Sequence, residues 1–333
     1  MELIGHDNTK KQLHLSITAA KSRNSSLPHM LFSGTAGCGK TSLAKYIATH
    51  AGYPFLSVTP NDMIDRKSVV KIFNKLDHNN YDEMGNSVGI LTPTVLFFDE
   101  VHNIPKKGQE ILGIAMEEYE IAASVINKKT WIPYFTLIGA TTLPGKLTKP
   151  FRERFKIFIT FQPYANDELA EIVNYHTKRL KVNIMPEAVM EIVNRSRGIP
   201  RIAVGFIERL RDILLAIKVD IATPYIVNRM FEVLKIDSEG CTETELRILK
   251  TLFENNIPVG LENLAIITEV DHETLKSYVE PFLIKKGLML VSGKGRIITQ
   301  KGIDYIEDKS LTVQRKKRDI PDNYERKSMV VQS

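Results

Sequence analysis

Short apolar runs alternate with helix-patterned stretches over the first half of the chain, an alternation that predicts βαβ units and a mostly parallel sheet. His29–Ser33, Thr94–Phe98, Thr136–Gly139 and Lys156–Phe161 read as buried strands. Each is short, dense in β-branched or aromatic residues, and stopped by Gly, Pro or polar residues. Between Asn79 and Thr94 the chain turns polar and Gly-containing, which reads as a loop. After Pro163 the strand pattern ceases and helical spacing takes over. Asn166 is placed to cap a helix carrying Leu169, Ile172, Val173, His176 and Leu180, and Pro186 fits the first turn of a second. A third opens at Pro200, with Ile202, Phe206, Leu210, Ile213, Leu214 and Ile217 in one apolar stripe. From about Asp237 a further unit reads as helices over Glu243–Glu254 and Leu261–Thr268, then Glu273–Lys286 capped by Asp271. A hairpin of Leu288–Val291 and Arg296–Thr299 around Ser292-Gly293-Lys294-Gly295 closes it, the pattern of a winged helix. The chain past Lys309 is charged and poor in apolar residues, which predicts a largely disordered tail. The expected organisation is an α/β domain at 1–163, a small helical domain at 164–236, a winged helix at 237–308 and a basic tail at 309–333.

Composition supports this division. A chain of 333 residues exceeds one ordinary domain, and its 43% hydrophobic content suffices for two or three cores. The formal net charge of +6 is modest but local. Residues 285–318 carry ten Lys or Arg against three acidic residues, so the rest of the chain is close to neutral, and a polyanion-facing surface belongs near that end. The two cysteines, Cys38 and Cys241, have no metal-ligand spacing around them, which fits a reduced, cytoplasmic protein. No run approaches the roughly 18 apolar residues of a membrane span, so no membrane partner is expected.

Gly34-Thr35-Ala36-Gly37-Cys38-Gly39-Lys40-Thr41 fits the phosphate-loop pattern GxxxxGK[ST], between a predicted strand and a helical run that begins at Ser42. Glycines at 34, 37 and 39 let successive backbone N–H groups, those of Cys38 and Ser42 included, turn toward phosphates, and the helix N-terminus adds positive potential. Lys40 is expected at the β and γ phosphates of ATP, and the Thr41 hydroxyl on Mg²⁺. Val95-Leu96-Phe97-Phe98-Asp99-Glu100 is an apolar strand ending in two acids, a Walker B element: Asp99 for the metal, Glu100 for the attacking water.

Three later elements fall in the order found in AAA+ proteins, which the chain resembles. Thr142, ending Gly139-Ala140-Thr141-Thr142, matches a polar sensor that orients the water. In Leu147-Thr148-Lys149-Pro150-Phe151-Arg152-Glu153-Arg154-Phe155, Arg154 matches the arginine finger, with Arg152 its neighbour. In Ser196-Arg197-Gly198-Ile199-Pro200-Arg201, Arg201 matches the second sensor at the γ phosphate. Asp99-Glu100-Val101-His102, the stretch Gln109–Tyr119, Phe135–Thr142, Gly198–Ala203, Pro258–Ala265 and Glu280–Ile284 resemble the RuvB family in particular, and the likeness runs from about Ile4 to Thr299. That resemblance implies an AAA+ core, a helical lid and a winged helix, assembled as a hexameric ring that pumps duplex DNA at Holliday junctions.

The resemblance also carries residues. Thr35 and Ala36 stand where the family usually has prolines, without removing a required donor. Little chain precedes Ile4-Gly5-His6, so Ile4 and His6 are expected to serve where a longer upstream segment helps hold adenine. Glu120–Tyr134 occupies the place of the hairpin that docks a RuvA partner, shorter here and differently composed, with Trp131 and Tyr134 on it. Ser292, Lys294 and Arg296 match the wing that touches DNA backbone, and Lys285 and Lys286 extend that footprint. Two other readings stay open at this point: a clamp-loader or helicase-loader subunit with the same ATP machinery, and a nonhydrolytic winged-helix regulator that uses nucleotide as a conformational ligand.

Overall fold

The computed structural model describes residues 3–23, 25–63, 66–77, 92–122, 129–255 and 257–318. The expected loop from Asn79, as far as residue 91, and the tail at 319–333 lie outside the described residues. The chain divides into two compact units, 1–182 with 198–211, and 183–197 with 212–333.

The first unit runs α1 (Asp7–Arg23), β1 (Met30–Ser33), α2 (Lys40–Ala51), β2 (Phe55–Val58), α3 (Arg66–Asp77), β3 (Thr94–Phe98) and α4 (Lys106–Glu118). It continues through β4 (Glu120–Ala122), β5 (Lys129–Trp131), β6 (Phe135–Thr141), α5 (Lys149–Glu153), β7 (Ile157–Thr160) and α6 (Asn166–Leu180). Five strands form one parallel sheet in the order β2-β3-β6-β1-β7. All five residues of β3 and all seven of β6 are buried, because both faces of the sheet are covered. The pleat sorts them: Leu96, Phe98, Phe135 and Leu137 pack toward α3, α4 and α5, while Val95, Phe97, Ile138 and Ala140 pack toward α1 and α2. The unanticipated strand is β2. It lies at the sheet edge with only Val58 buried, so its four residues show neither an apolar run nor an alternation.

His29, just before β1, joins three elements. Its Nδ1 accepts the Leu137 N–H at 2.9 Å, and its Nε2 lies 3.1 Å from the Met116 carbonyl oxygen. Burial pushes its pKa down to about 4, so the ring is neutral near pH 7, which suits one acceptor and one donor nitrogen.

The second unit holds β8 (Asn183–Ile184), α7 (Pro186–Arg195) and, beyond Arg211, the rest of α8 (Pro200–Ile217), then β9 (Ile221–Ala222) and α9 (Pro224–Val233). Strands therefore do not cease after Pro163, since β8 and β9 pair in parallel. Nor does Asn166 cap α6. It is the first helical residue, and Glu168 Oε2 reaches back to accept the Ala165 N–H at 3.3 Å.

Next come α10 (Glu243–Asn255), α11 (Leu261–Thr268), α12 (His272–Thr274), α13 (Glu280–Lys286), β10 (Met289–Ser292), β11 (Gly295–Ile298) and α14 (Gln300–Arg318). Asp271 caps as expected, its Oδ1 accepting the Thr274 N–H at 2.9 Å. The single helix expected over Glu273–Lys286 is instead interrupted by a π turn at Leu275–Val279, directly before the first turn of α13, where Pro281 brings no N–H donor. Val259 exchanges both backbone hydrogen bonds with Arg296, at 2.9 and 2.8 Å, and so lies against the hairpin. The tail reading needs correction as well. Helix α14 runs through Arg318, tied at its start by Tyr305 and Lys309, both hydrogen-bonded to the Asp237 carboxylate. Those two contacts hold Asp237 below the usual carboxylate range against the opposing push of its burial.

Candidate functional site

The phosphate loop leaves the C-terminal end of β1 and is pinned to its neighbour strand, the Gly34 N–H donating to the Thr141 carbonyl at 3.2 Å. Gly37 and Gly39 turn the loop at φ 80° and 98°, a left-handed backbone that side chains resist, and Gly39 leads directly into α2. The Lys40 ammonium lies across this turn and donates to the carbonyls of Gly34 at 2.8 Å and Thr35 at 3.0 Å. Cys38 is buried beneath the loop, and burial raises its thiol pKa, which favours the neutral thiol.

The loop faces a cavity of about 540 Å³ lined by Ala36, Gly37, Gly39, Lys40, Thr41, Ser42, Asp99, Glu100, Pro200, Arg201, Val204, Gly205 and Glu208. Seven of the ten residues assigned to nucleotide therefore meet here. Gly34 and Cys38 form the turn behind the wall, and Ile4 is half-buried elsewhere in the unit. His6, two residues on, stands edge-on to Phe161 at 4.9 Å and Tyr164 at 4.6 Å. Of the α8 wall, Arg201 stands where the resemblance places a second sensor, and its neighbours were not anticipated. Pro200, Val204, Gly205 and Glu208 repeat with Arg201 at helical spacing on the side away from the apolar stripe, a signal present in the sequence but carried by no motif beyond Arg201. Arg201 crowds the loop so closely that a Cβ on Gly37 would stand 2.5 Å from the Arg201 Cβ.

Opposite Lys40, strand β3 ends in the two acids. Asp99 Oδ1 accepts the Glu100 N–H at 3.1 Å, and Glu100 itself adopts φ 49°, an uncommon conformation for a side-chain-bearing residue. Glu100 Oε2 accepts both the backbone N–H and the hydroxyl of Thr142 at 3.0 Å each. His102 Nδ1 stands 3.1 Å from the same oxygen and 2.8 Å from the Thr141 hydroxyl. Burial lowers the His102 pKa, with Glu100 pulling the other way, so the ring acts as a neutral hydrogen-bond partner near pH 7. The expected sensor Thr142 thus grips the carboxylate expected to handle the water. An array of backbone N–H groups, one ammonium and a helix N-terminus fits a polyphosphate, and the Thr41 hydroxyl with the Asp99 carboxylate offers the sparse oxygen ligation that Mg²⁺ accepts.

Arg154 is not at this cavity. At the end of α5 its Nη1 donates to the Pro150 carbonyl at 2.9 Å and its Nη2 lies 3.1 Å from Glu117 Oε2. It borders a separate cavity of about 340 Å³ together with Arg23, Glu117 and Lys156. Arg152 is exposed beside it.

The hairpin of the second unit splits the residues assigned to DNA. Lys294 and Lys285 are exposed, and Ser292 closes the turn by accepting the Lys294 N–H at 3.2 Å. Register pairs Ser292 with Gly295, leaving Gly293 and Lys294 as a two-residue tip. Arg296 does not point to the tip. Its guanidinium turns inward to Glu280, Nε to Oε1 at 2.7 Å, with Glu280 buried and Arg296 partly buried. Lys286 is paired with Glu239 at 2.8 Å. In the first unit, β4 and β5 form the anticipated hairpin, Glu120 opposite Trp131, and Tyr134 beyond it is exposed.

Comparison with known proteins covers nearly the whole chain. Residues 1–161 match the Holliday junction DNA helicase RuvB P-loop domain, 164–237 the RuvB AAA lid domain, and 238–307 the RuvB C-terminal winged helix domain. The Holliday junction branch migration complex subunit RuvB of Thermotoga maritima is 35% identical over 314 residues, spanning 92% of this chain and 90% of that protein. The same subunit from Lactobacillus helveticus is 36% identical over 312 residues, 90% and 85%. Among solved structures, the Thermotoga maritima RuvB Holliday junction branch migration motor superposes with a TM-score of 0.76 at 35% identity, covering 91% of this chain and 95% of that one.

Proposed function

The chain belongs to the RuvB family, and on that premise we propose that it is an ATP-hydrolysing DNA motor that drives branch migration at four-way junctions as a hexameric ring of identical subunits. Its AAA+ core, lid and winged helix, at 1–163, 164–236 and 237–308, carry the chemistry, its transmission and the DNA contact in that order.

In this reading Lys40 and the N–H groups of the phosphate loop hold the β and γ phosphates, and Arg201 approaches from α8. Mg²⁺ on Thr41 and Asp99 would offset charge between the phosphates. Glu100 takes the proton of the attacking water as the bond to the γ phosphorus forms and the β–γ bridge breaks. Thr142 and His102 fix the Glu100 oxygen that does this. Arg154 completes the neighbouring subunit's site. The single observation that carries the reading is the placement of the charges: one carboxylate gripped by Thr142 on the wall of the phosphate-loop cavity, and Arg154 on a different cavity of the same unit.

The exposed lysines Lys294, on the wing, and Lys285, at the end of α13, are the best-placed contacts to DNA backbone, and the β4–β5 hairpin is the surface for a RuvA-like partner. No helix among the described residues is long and apolar enough to cross a membrane. We place the protein in the cytoplasm with its DNA. The test is ATP turnover and four-way-junction migration measured on one preparation. DNA-stimulated turnover with strand movement is expected. Turnover without movement would indicate a loader, and nucleotide binding without turnover a regulator.

A further inference from the structure

Three residues of α4 address the segment that ends in Arg154, and they fall four apart on one helix face: Gln109, Gly113 and Glu117. Gln109 is buried. Its Oε1 accepts both the backbone N–H and the hydroxyl of Thr148 at 3.0 Å each, while its amide donates to the Ile104 carbonyl at 2.9 Å. This fixes the start of α5 against α4. Glu117, two turns further on, meets Arg154 Nη2 at 3.1 Å at the other end of the same segment.

Between them sits Gly113, a residue that disfavours a helix interior and needs a reason there. The reason is contact. A Cβ at this position would lie 3.0 Å from Arg154 Nε and 3.1 Å from its Cδ and Cζ, tighter than side chains ordinarily pack. The missing side chain lets the guanidinium approach the helix backbone closely. Pro150 contributes its carbonyl to Nη1 at 2.9 Å from one side. Arg154 Nε is enclosed with no hydrogen-bond partner, so the fork is held by contact with Gly113 and by its two outer nitrogens. Arg154 is aimed by a seat built for it.

We propose that Gln109, Gly113 and Glu117 form a positioning stripe on α4 that presents the Arg154 guanidinium, in one fixed orientation, to the triphosphate bound by the adjacent subunit. This rests on the reading of Arg154 as a group acting in trans. A bidentate cation works by pre-set direction, so displacing it by a few tenths of an ångström lowers turnover without altering the subunit's own nucleotide cavity, to which none of the three residues belongs. Glu117 serves as an orienting partner and not as a brake: the pair is half-exposed, and such pairs hold a direction at little thermodynamic depth.

The decisive variant is Gly113→Ala in the full-length chain. The added methyl favours the helix, so the melting temperature stays level or rises. DNA-stimulated kcat is expected to fall about tenfold, with KM for ATP and ring assembly unchanged, because a misplacement of 1 Å costs roughly 100-fold and this one is smaller. Glu117→Gln, which keeps size and removes charge, is expected to lower kcat about threefold with the same pattern. Each change is then repeated in an Arg154→Ala background, where neither has any further effect. A kcat unchanged in both variants overturns the proposal. So does an equal loss with and without Arg154, since the stripe would then act on something else. If Gly113→Ala disturbs folding, Glu117→Gln in the two backgrounds decides alone. Should Arg154→Ala itself keep full turnover, it is the assignment of the trans group that fails, a result readable separately from the stripe.

Discussion

The nucleotide cavity of the first unit and the hairpin of the second both carry charge at the margin of a packed core, but they fix it by different means. Around the cavity, Lys40 and Glu100 are held by neighbours in sequence or on the next strand: Lys40 by the carbonyls of its own loop, Glu100 by Thr142 at the end of the adjoining β6. Around the hairpin, charge is held by distant partners or, among the described residues, stands without an ion pair. Arg296 goes to Glu280 and Lys286 to Glu239, whereas Lys294 stands at an exposed tip. Phosphate chemistry needs donors at fixed separations, so short spacing in the chain fixes the site. Contact with DNA backbone needs only positive potential near a phosphate, so spacing constrains it little, and the same residue types can serve as struts.

Glu100→Gln tests the first half of this contrast and has the largest expected effect. The amide oxygen can still accept from Thr142, so the side chain keeps its place and loses only the ability to take a proton. Turnover should fall by about 10² to 10⁴ while ATP binding and junction binding persist. Turnover within threefold of the parent would show that another group handles the water. His102 would then be the next candidate, standing 3.1 Å from the same carboxylate oxygen.

The same contrast explains what could be read from the chain. The phosphate loop and the Asp99-Glu100 pair are local patterns whose geometry follows from a strand, a turn and a helix N-terminus, and all of it appears where the pattern places it. Four of the five sheet strands were legible because burial on both faces gives short apolar runs; β2, half-exposed at the edge, gives none. The rest of the α8 wall around Arg201 and the α4 stripe escaped because they depend on which face of a helix meets a loop far away in sequence. For Gly113 the only local hint was a glycine inside an otherwise helical pattern. The pairing of Arg296 was hidden for a related reason: in an alternating hairpin the residue type tells nothing of the side its guanidinium takes, and the buried Glu280 lies 16 positions away. The second half of helix α14, from Lys309, was read as tail because its apolar content is low and its anchor, Asp237, lies 72 residues before Lys309.

Arg296→Ala tests whether the inward pair is a strut. Removing one partner leaves Glu280 buried and charged without compensation, which should cost about 3 kcal/mol of local stability. The loss should appear as faster hydrogen exchange across α13 and the hairpin. The salt dependence of DNA binding by the folded protein should keep its slope. A decline of that slope with no loss of protection would instead return Arg296 to the DNA-facing set.

Lys294→Ala is the complementary and smallest change. Its side chain sits on a two-residue turn between Ser292 and Gly295, exposed and with no recorded ion pair among the described residues, so truncation should leave hydrogen exchange in the hairpin as it was. One released counterion is what the ammonium can contribute. The plot of log affinity against log salt should therefore become shallower by about 0.9, and affinity for duplex and junction should drop by the same few-fold factor regardless of sequence. A sequence-dependent loss would mean that the tip reads base edges. An unchanged slope, combined with a reduced slope for Lys285→Ala, would move the DNA path from the hairpin tip to the end of α13, where Lys285 is exposed in the last helical turn. The two lysines thus divide the footprint between a turn and a helix end, and the salt slope assigns the phosphate to one of them.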